Sequence, residues 1–163
     1  MTGAFHVEAA GDSDVAITRD FSAPRELVFD AHVWPELVKR WLAAPGWTFP
    51  VCRIDARPGG EYRYEWKREG GDERMGVSGR FLELDPAVRI AATEQFDEPW
   101  YPGTAIVTTT FADAPGGTAL TMMARYESRA ARDGVLAGPM AKGVEAGYAK
   151  LARLLEEMQG EFR

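Results

Sequence analysis

The chain has little with which to bind a metal or build a covalent framework: among 163 residues there is one cysteine, Cys52, and two histidines, His6 and His32. A lone cysteine excludes an internal disulfide, and no two of these three residues stand at ligand spacing, so no metal site is expected. Neither a dinucleotide-binding glycine pattern nor a P-loop occurs, and no cofactor is expected. Positive charge is also scarce, with 19 Lys and Arg against 25 Asp and Glu, a formal net charge of −6. An acidic chain repels phosphate backbones, which argues against a nucleic-acid partner. Long hydrophobic runs are missing too. The longest uncharged stretch, Pro99 to Ala112, contains Pro102, Gly103 and four threonines, whereas a spanning helix needs about 20 mostly apolar residues, so no membrane partner is expected. The opening MTGAFHVEAAGDSD has neither the basic nor the apolar region of a secretory leader, and a cytoplasmic location is the expectation.

What is present is an ordinary globular composition, 45% hydrophobic and 27% charged, which excludes disorder. Residues 1–12 are small and polar without periodicity and read as a mobile tail, leaving 13–163 as a single domain. From Asp14 to Phe21, Val15, Ile17 and Phe21 share one side with Arg19, as in a strand. Ala23-Pro24 then starts a short helix through Ala31, and Pro35 starts a second, PELVKRWL, ended by Pro45-Gly46. Five apolar segments follow, punctuated by turns at Pro58-Gly59-Gly60, Gly70-Gly71, Asp85-Pro86, Pro99 to Gly103, and Pro115-Gly116-Gly117. Antiparallel hairpins are the natural reading. In Glu61-Tyr62-Arg63-Tyr64-Glu65-Trp66-Lys67 the odd positions are charged and the even ones aromatic, a period of two with one wet and one buried face. Val107, Thr109 and Phe111 group in the same way, as do Leu120, Met122 and Ala124. The cover for the buried face is a C-terminal helix from about Pro139 to Gln159, on which Met140, Val144, Tyr148, Leu151, Leu155 and Met158 form an apolar stripe. Gly143 and Gly147 each cost that helix about 1 kcal/mol against alanine, so close approach or empty space should offset them.

The candidate site is the layer between sheet and helix: Tyr62, Tyr64, Trp66, Phe111 and Met122 from the strands, and Met140, Val144 and Tyr148 from the helix. These residues make either a filled core or a cavity with a few polar groups. An empty cavity of about 300 Å³ would cost on the order of 7 kcal/mol, so a space of that size implies an occupant or a functional reason. Alternation through Ile90, Ala92 and Glu94 either brings the Glu94 carboxyl into the layer, where desolvation raises its pKa and suits it to hydrogen bonding or general base work, or leaves it in water at a strand end. Cys52 shares a strand face with Ile54 and reads as a small hydrophobe, since Cys52 with His32 makes no motif. Arg125, Arg129 and Arg132 read as a solvated face rather than an anion site. No catalytic residue is assigned.

Seven segments carry a family resemblance: ITRDFSAPRELVFDA, PELVKRW, DARPGGEYRY, GRFLELDPAVRI, TFADAPGGTALTM, GPMAKGV and LARLLEEM, collinear from about Asp14 to Met158. Together they resemble the START-like (SRPBCC, helix-grip) superfamily and, within it, the homologues of the heat-shock protein 90 ATPase activator. The resemblance implies an α+β helix-grip fold: a curved antiparallel sheet of about six or seven strands wrapped on a long C-terminal helix, with two short helices after the first strand and an apolar cavity between sheet and helix. Three tryptophans common in the family are replaced here by His32, Leu42 and Val144, and the loss of bulk at Val144 predicts a roomier pocket walled by Trp66 and Tyr148. Three functions follow as alternatives: binding of a small, largely apolar ligand, stimulation of a heat-shock chaperone's ATPase through a surface contact, and cyclase-like or hydrolase-like chemistry using Glu94. Nothing in the pattern specifies an oligomeric state.

Overall fold

Strand β2 (Asp14–Phe21) buries Val15, Ile17, Arg19 and Phe21 and leaves Thr18 and Asp20 in solvent, so hydrophobic alternation sets which face looks inward. The computed structural model describes residues 4–160. Before β2 comes β1 (His6–Ala10), and after it come two helices, α1 (Arg25–Val33) and the single turn α2 (Pro35–Val38). Strands β3 (Trp47–Ile54), β4 (Glu61–Arg68), β5 (Arg74–Asp85), β6 (Arg89–Phe96), β7 (Ala105–Ala114) and β8 (Gly117–Arg125) follow, then α3 (Arg129–Ala137) and α4 (Met140–Gly160). Each of the five turns read from the sequence separates two of these strands.

The strands form one antiparallel sheet in the order β1-β2-β8-β7-β6-β5-β4-β3. The sheet has eight strands rather than six or seven. The extra strand lies in the segment expected as a tail: His6–Ala10 pairs antiparallel with β2, from His6 opposite Thr18 to Ala10 opposite Asp14. The expectation for residues 1–12 is corrected accordingly, and its first three residues lie outside the described ones. An outer strand needs only one paired edge and little burial, so β1 shows no strong hydrophobic pattern. At the opposite edge β3 carries Pro50 within an irregular register between Thr48 and Val51, where proline removes no ladder hydrogen bond.

Helix α3 was not foreseen, although its signal is present: Ser128 caps it, its Oγ accepting from the Ala131 N–H at 3.0 Å, and Ala131 and Val135 are buried at i, i+4 spacing. Between them Arg132 is buried, only 4% exposed, and this corrects its reading as part of a solvated face. Its Nη1 donates to the carbonyls of Asp14 (2.7 Å), Ala10 (3.2 Å) and Gly11 (3.4 Å). The guanidinium thus closes the β1–β2 turn. Arg125 and Arg129 remain exposed, paired with Asp14 and Asp12.

The second half of α4 packs against Phe21 at the end of β2 and against the helical segment after it. Tyr148, Leu151, Leu154 and Leu155 are buried, while Met140 and Val144 in the first half of α4 are only half-buried. Tyr148 meets the Phe21 ring edge-on at 5.6 Å and stacks on Trp41 at 6.1 Å. Lys150 Nζ donates to the Ala43 carbonyl at 2.6 Å, and Gln159 Nε2 to that of Ser22 at 2.9 Å, which holds the second half of α4 down.

Candidate functional site

Register decides which side chains share the inner face. Glu94 stands opposite Ala105 and Ala92 opposite Val107; Val107 in turn faces Ala124, and Thr109 faces Met122. Residues paired across an antiparallel ladder lie on one face, so Glu94 belongs with this buried row rather than in water at a strand end. On β4, Tyr62 packs at 5.7 Å from the buried Phe81, which places Tyr62 and, by alternation, Tyr64 and Trp66 on the inner face.

The β4 aromatics form a continuous row, Tyr62 on Tyr64 at 5.0 Å and Tyr64 on Trp66 at 5.9 Å. Tyr62 lies down on the sheet over Gly79, where a Cβ would collide with its ring and with the Thr93 carbonyl, and its hydroxyl donates to that carbonyl at 2.7 Å. Glycine at position 79 is therefore required by close approach, not by backbone angle. Tyr64 and Trp66 also gather around Phe49 of β3, at 5.7 and 5.1 Å. The indole N–H of Trp66 is buried without a partner, at a cost of about 1–3 kcal/mol.

Glu94 is the hub of a second group. The Tyr101 hydroxyl donates to Glu94 Oε1 at 2.9 Å, and Tyr101 meets Tyr126 edge-on at 5.0 Å. Burial pushes the Glu94 pKa up, and the Tyr101 hydrogen bond opposes that shift. Burial likewise pushes up the hydroxyls of Tyr62, Tyr101 and Tyr126, and the nearby Glu94 charge adds to it in each case. All three tyrosines stay neutral donors at physiological pH.

At the other end of the inner face, Phe111 packs edge-on against Phe29 and His32, at 5.6 and 5.2 Å. Met122 receives the Tyr148 hydroxyl on its sulfur at 3.8 Å. Phe111, Met122 and Tyr148 thus come together beside α1, whereas the ring contacts of Tyr64 and Trp66 are with Tyr62, Phe49 and each other. The two helix glycines need no close approach: a Cβ at Gly143 would meet nothing within 4 Å, and one at Gly147 would touch Trp41 at 3.8 Å.

Pattern reading left out His32, Phe49, Tyr101 and Tyr126 as site members. Tyr126 continues the alternation of Leu120, Met122 and Ala124, and His32 lies one turn beyond the buried Val28, so both had a signal. Tyr101 sits in the turn after β6 and had none. Two open hollows lie along β3 to β6, away from α4. One, of about 370 Å³, is lined by Trp47, Arg63, Met75, Phe96, Asp97 and Trp100 among others. The second, about 860 Å³, includes Arg53, Arg57, Tyr62, Arg80 and Gln95. Of the expected site residues only Tyr62 lines either one. Among the described residues no three His, Cys, Asp or Glu side chains are grouped to hold a metal, and no helix is long and apolar enough to cross a membrane.

Solved structures share this architecture. A protein from Rhodobacter sphaeroides is 30% identical, covering 93% of this chain and 98% of its own, with a TM-score of 0.86. A protein from Chromobacterium violaceum is 31% identical over 88% of this chain and 97% of its own, with a TM-score of 0.76. An AHSA1-like protein from Aeromonas hydrophila, 20% identical, covers 86% of this chain and 93% of its own with a TM-score of 0.70, which supports the fold. No curated protein matches the chain. The family profile described as "Activator of Hsp90 ATPase homolog 1-like protein" matches residues 22–156. With most of its length matched, and with an antiparallel sheet carrying a long C-terminal helix, the chain belongs to this AHSA1 family of START-like, helix-grip proteins.

Proposed function

We propose that the protein binds a small, largely apolar ligand between the sheet and the first half of α4. One observation carries this reading. Among the described residues the only sealed side-chain nitrogen or oxygen without a partner is Trp66 Nε1. The hydroxyls of Tyr64 and Tyr126 and Glu94 Oε2 also lack hydrogen bonds, so each must reach accessible space even though burial dominates all three pKa shifts. Polar atoms set deep on an inner face, open yet unpartnered, fit the walls of a binding site better than a filled core. Half-burial of Met140 and Val144 agrees, because a core helix would bury them as fully as Leu151 and Leu155. The wall is Tyr64, Phe111, Met122, Met140, Val144 and Tyr148, with Glu94 as a polar anchor and Tyr62 and Trp66 at its β4 margin. Mass spectrometry of freshly purified protein under native and denaturing conditions tests this: a stoichiometric small molecule that leaves on unfolding supports it. Failure of native protein to take up any of a panel of apolar aromatic compounds overturns it.

A second reading is favoured by the family description: stimulation of a heat-shock chaperone's ATPase through a surface contact. It predicts a rate increase that is independent of ligand, and an unchanged chaperone ATPase at saturating protein removes it.

A further inference from the structure

His32 is the half-buried one of the two histidines, and its ring is held on three sides. Its Nδ1 lies 2.8 Å from the Val28 carbonyl, which can only accept, so Nδ1 carries the proton and Nε2 presents a bare lone pair. Trp41 and Phe111 pack edge-on against the ring at 5.1 and 5.2 Å. Nearby donors are committed elsewhere: the Trp41 indole N–H to the Ala31 carbonyl at 2.9 Å, and the Tyr148 hydroxyl to the Met122 sulfur. Nε2 has no hydrogen-bond partner among the described residues, and His32 is half-buried, so the lone pair lies in a partly open setting between aromatic rings. A fixed, oriented acceptor with no protein donor has the form of a ligand contact.

We propose that His32 Nε2 accepts a hydrogen bond from the ligand, and that the ligand class is an apolar ring compound bearing a hydroxyl or N–H donor. This rests on the binding reading above and adds the chemistry that would select among apolar molecules. Burial supports it by holding the imidazole pKa down to about 4, so the ring stays a neutral acceptor at physiological pH. Phe111, Trp41 and Phe29 supply the apolar surround on that side, and Glu94 lies toward the opposite end of the strands. A donor placed at His32 therefore leaves the rest of a ring system over Met122 and Val107.

The probes are 2-naphthol and 2-methylnaphthalene, nearly the same shape but differing in one donor. Both are titrated into the wild-type protein and into His32→Phe, and wild-type imidazole nitrogen resonances are followed by NMR, with only His6 and His32 to assign. The expected result is that 2-naphthol, and not 2-methylnaphthalene, shifts the His32 Nε2 resonance. The ratio of the two Kd values should then move about tenfold against 2-naphthol in His32→Phe, the worth of one hydrogen bond. If both probes bind while the Nε2 resonance stays still and the ratio is unchanged, the role of His32 is overturned and the binding reading survives. If neither probe binds, the binding reading falls and this proposal falls with it. Should His32→Phe not fold, the wild-type Nε2 resonance decides alone.

Discussion

The Tyr101 hydroxyl donates to Glu94 Oε1 at 2.9 Å and also approaches the Glu94 carbonyl at 3.2 Å, tying the turn after β6 back to the strand it leaves. That contact is what lets a carboxylate sit on the inner face, since burying it without a donor would cost far more than the turn's own ordering.

Replacing Tyr101 by Phe should therefore raise the Glu94 pKa further and destabilise the fold by about 1–2 kcal/mol. Carboxyl carbon shifts followed against pH, with urea denaturation alongside, check both parts. An unmoved Glu94 titration would mean that the hydrogen bond is not made in solution.

His32 and Glu94 predict opposite pH dependences. Burial depresses the folded pKa of His32 from 6.5 to about 4. Between those values the unfolded chain takes a proton that the folded one refuses, so stability is intact above pH 6.5 and falls as pH drops toward 4, by roughly 2–3 kcal/mol. Glu94 has its folded pKa raised above 4.5, so its penalty is absent at low pH and grows as pH rises through the folded value. Urea midpoints at pH 5 and 7.5 separate the two: His32→Phe should flatten the loss on acidification, and Glu94→Gln should gain most on the wild type at the higher pH. A wild type equally stable at both pH values, with both variants tracking it, would contradict the assignment.

Arg132→Met should cost about 2–4 kcal/mol, because it removes one guanidinium from three backbone carbonyls at the β1–β2 turn. Amide exchange in His6–Ala10 should quicken more than exchange in β7 or β8. Lysine should rescue only part of the loss, since a point charge cannot reproduce the fork. A change below about 0.5 kcal/mol would place the side chain in solvent.

Gly143→Ala and Gly147→Ala should each stabilise the protein by about 0.5–1 kcal/mol, as helix propensity improves and the new methyl groups meet open space or ordinary contact. Thermal denaturation of the two variants checks this. A loss at either position would mean that α4 lies closer to its neighbours than 3.8 Å allows.

Much of the architecture was legible because it rests on local periodicity. The two-residue alternation in Glu61–Arg68 and the apolar stripe from Met140 to Met158 are each complete within one element, and both elements formed as read. Strand β1 escaped because an edge strand needs no hydrophobic pattern, and α3 because its short apolar face spans little more than two turns. In the site, the inward direction of Tyr62, Tyr64 and Trp66 followed from alternation, but what each ring packs against did not. That depends on Gly79 letting Tyr62 lie flat and on Phe49 arriving from β3.

By itself the sequence determined the α+β class, the turns and which faces are apolar, because backbone propensity and hydrophobic spacing act over a few neighbouring residues. Only the tertiary structure decided that Tyr101 and Tyr126 close on Glu94, that Arg132 is buried, and that the free nitrogen of His32 has no donor. Those outcomes depend on strand register and loop path, which bring together groups far apart along the chain and set hydrogen-bond distances that no local pattern encodes.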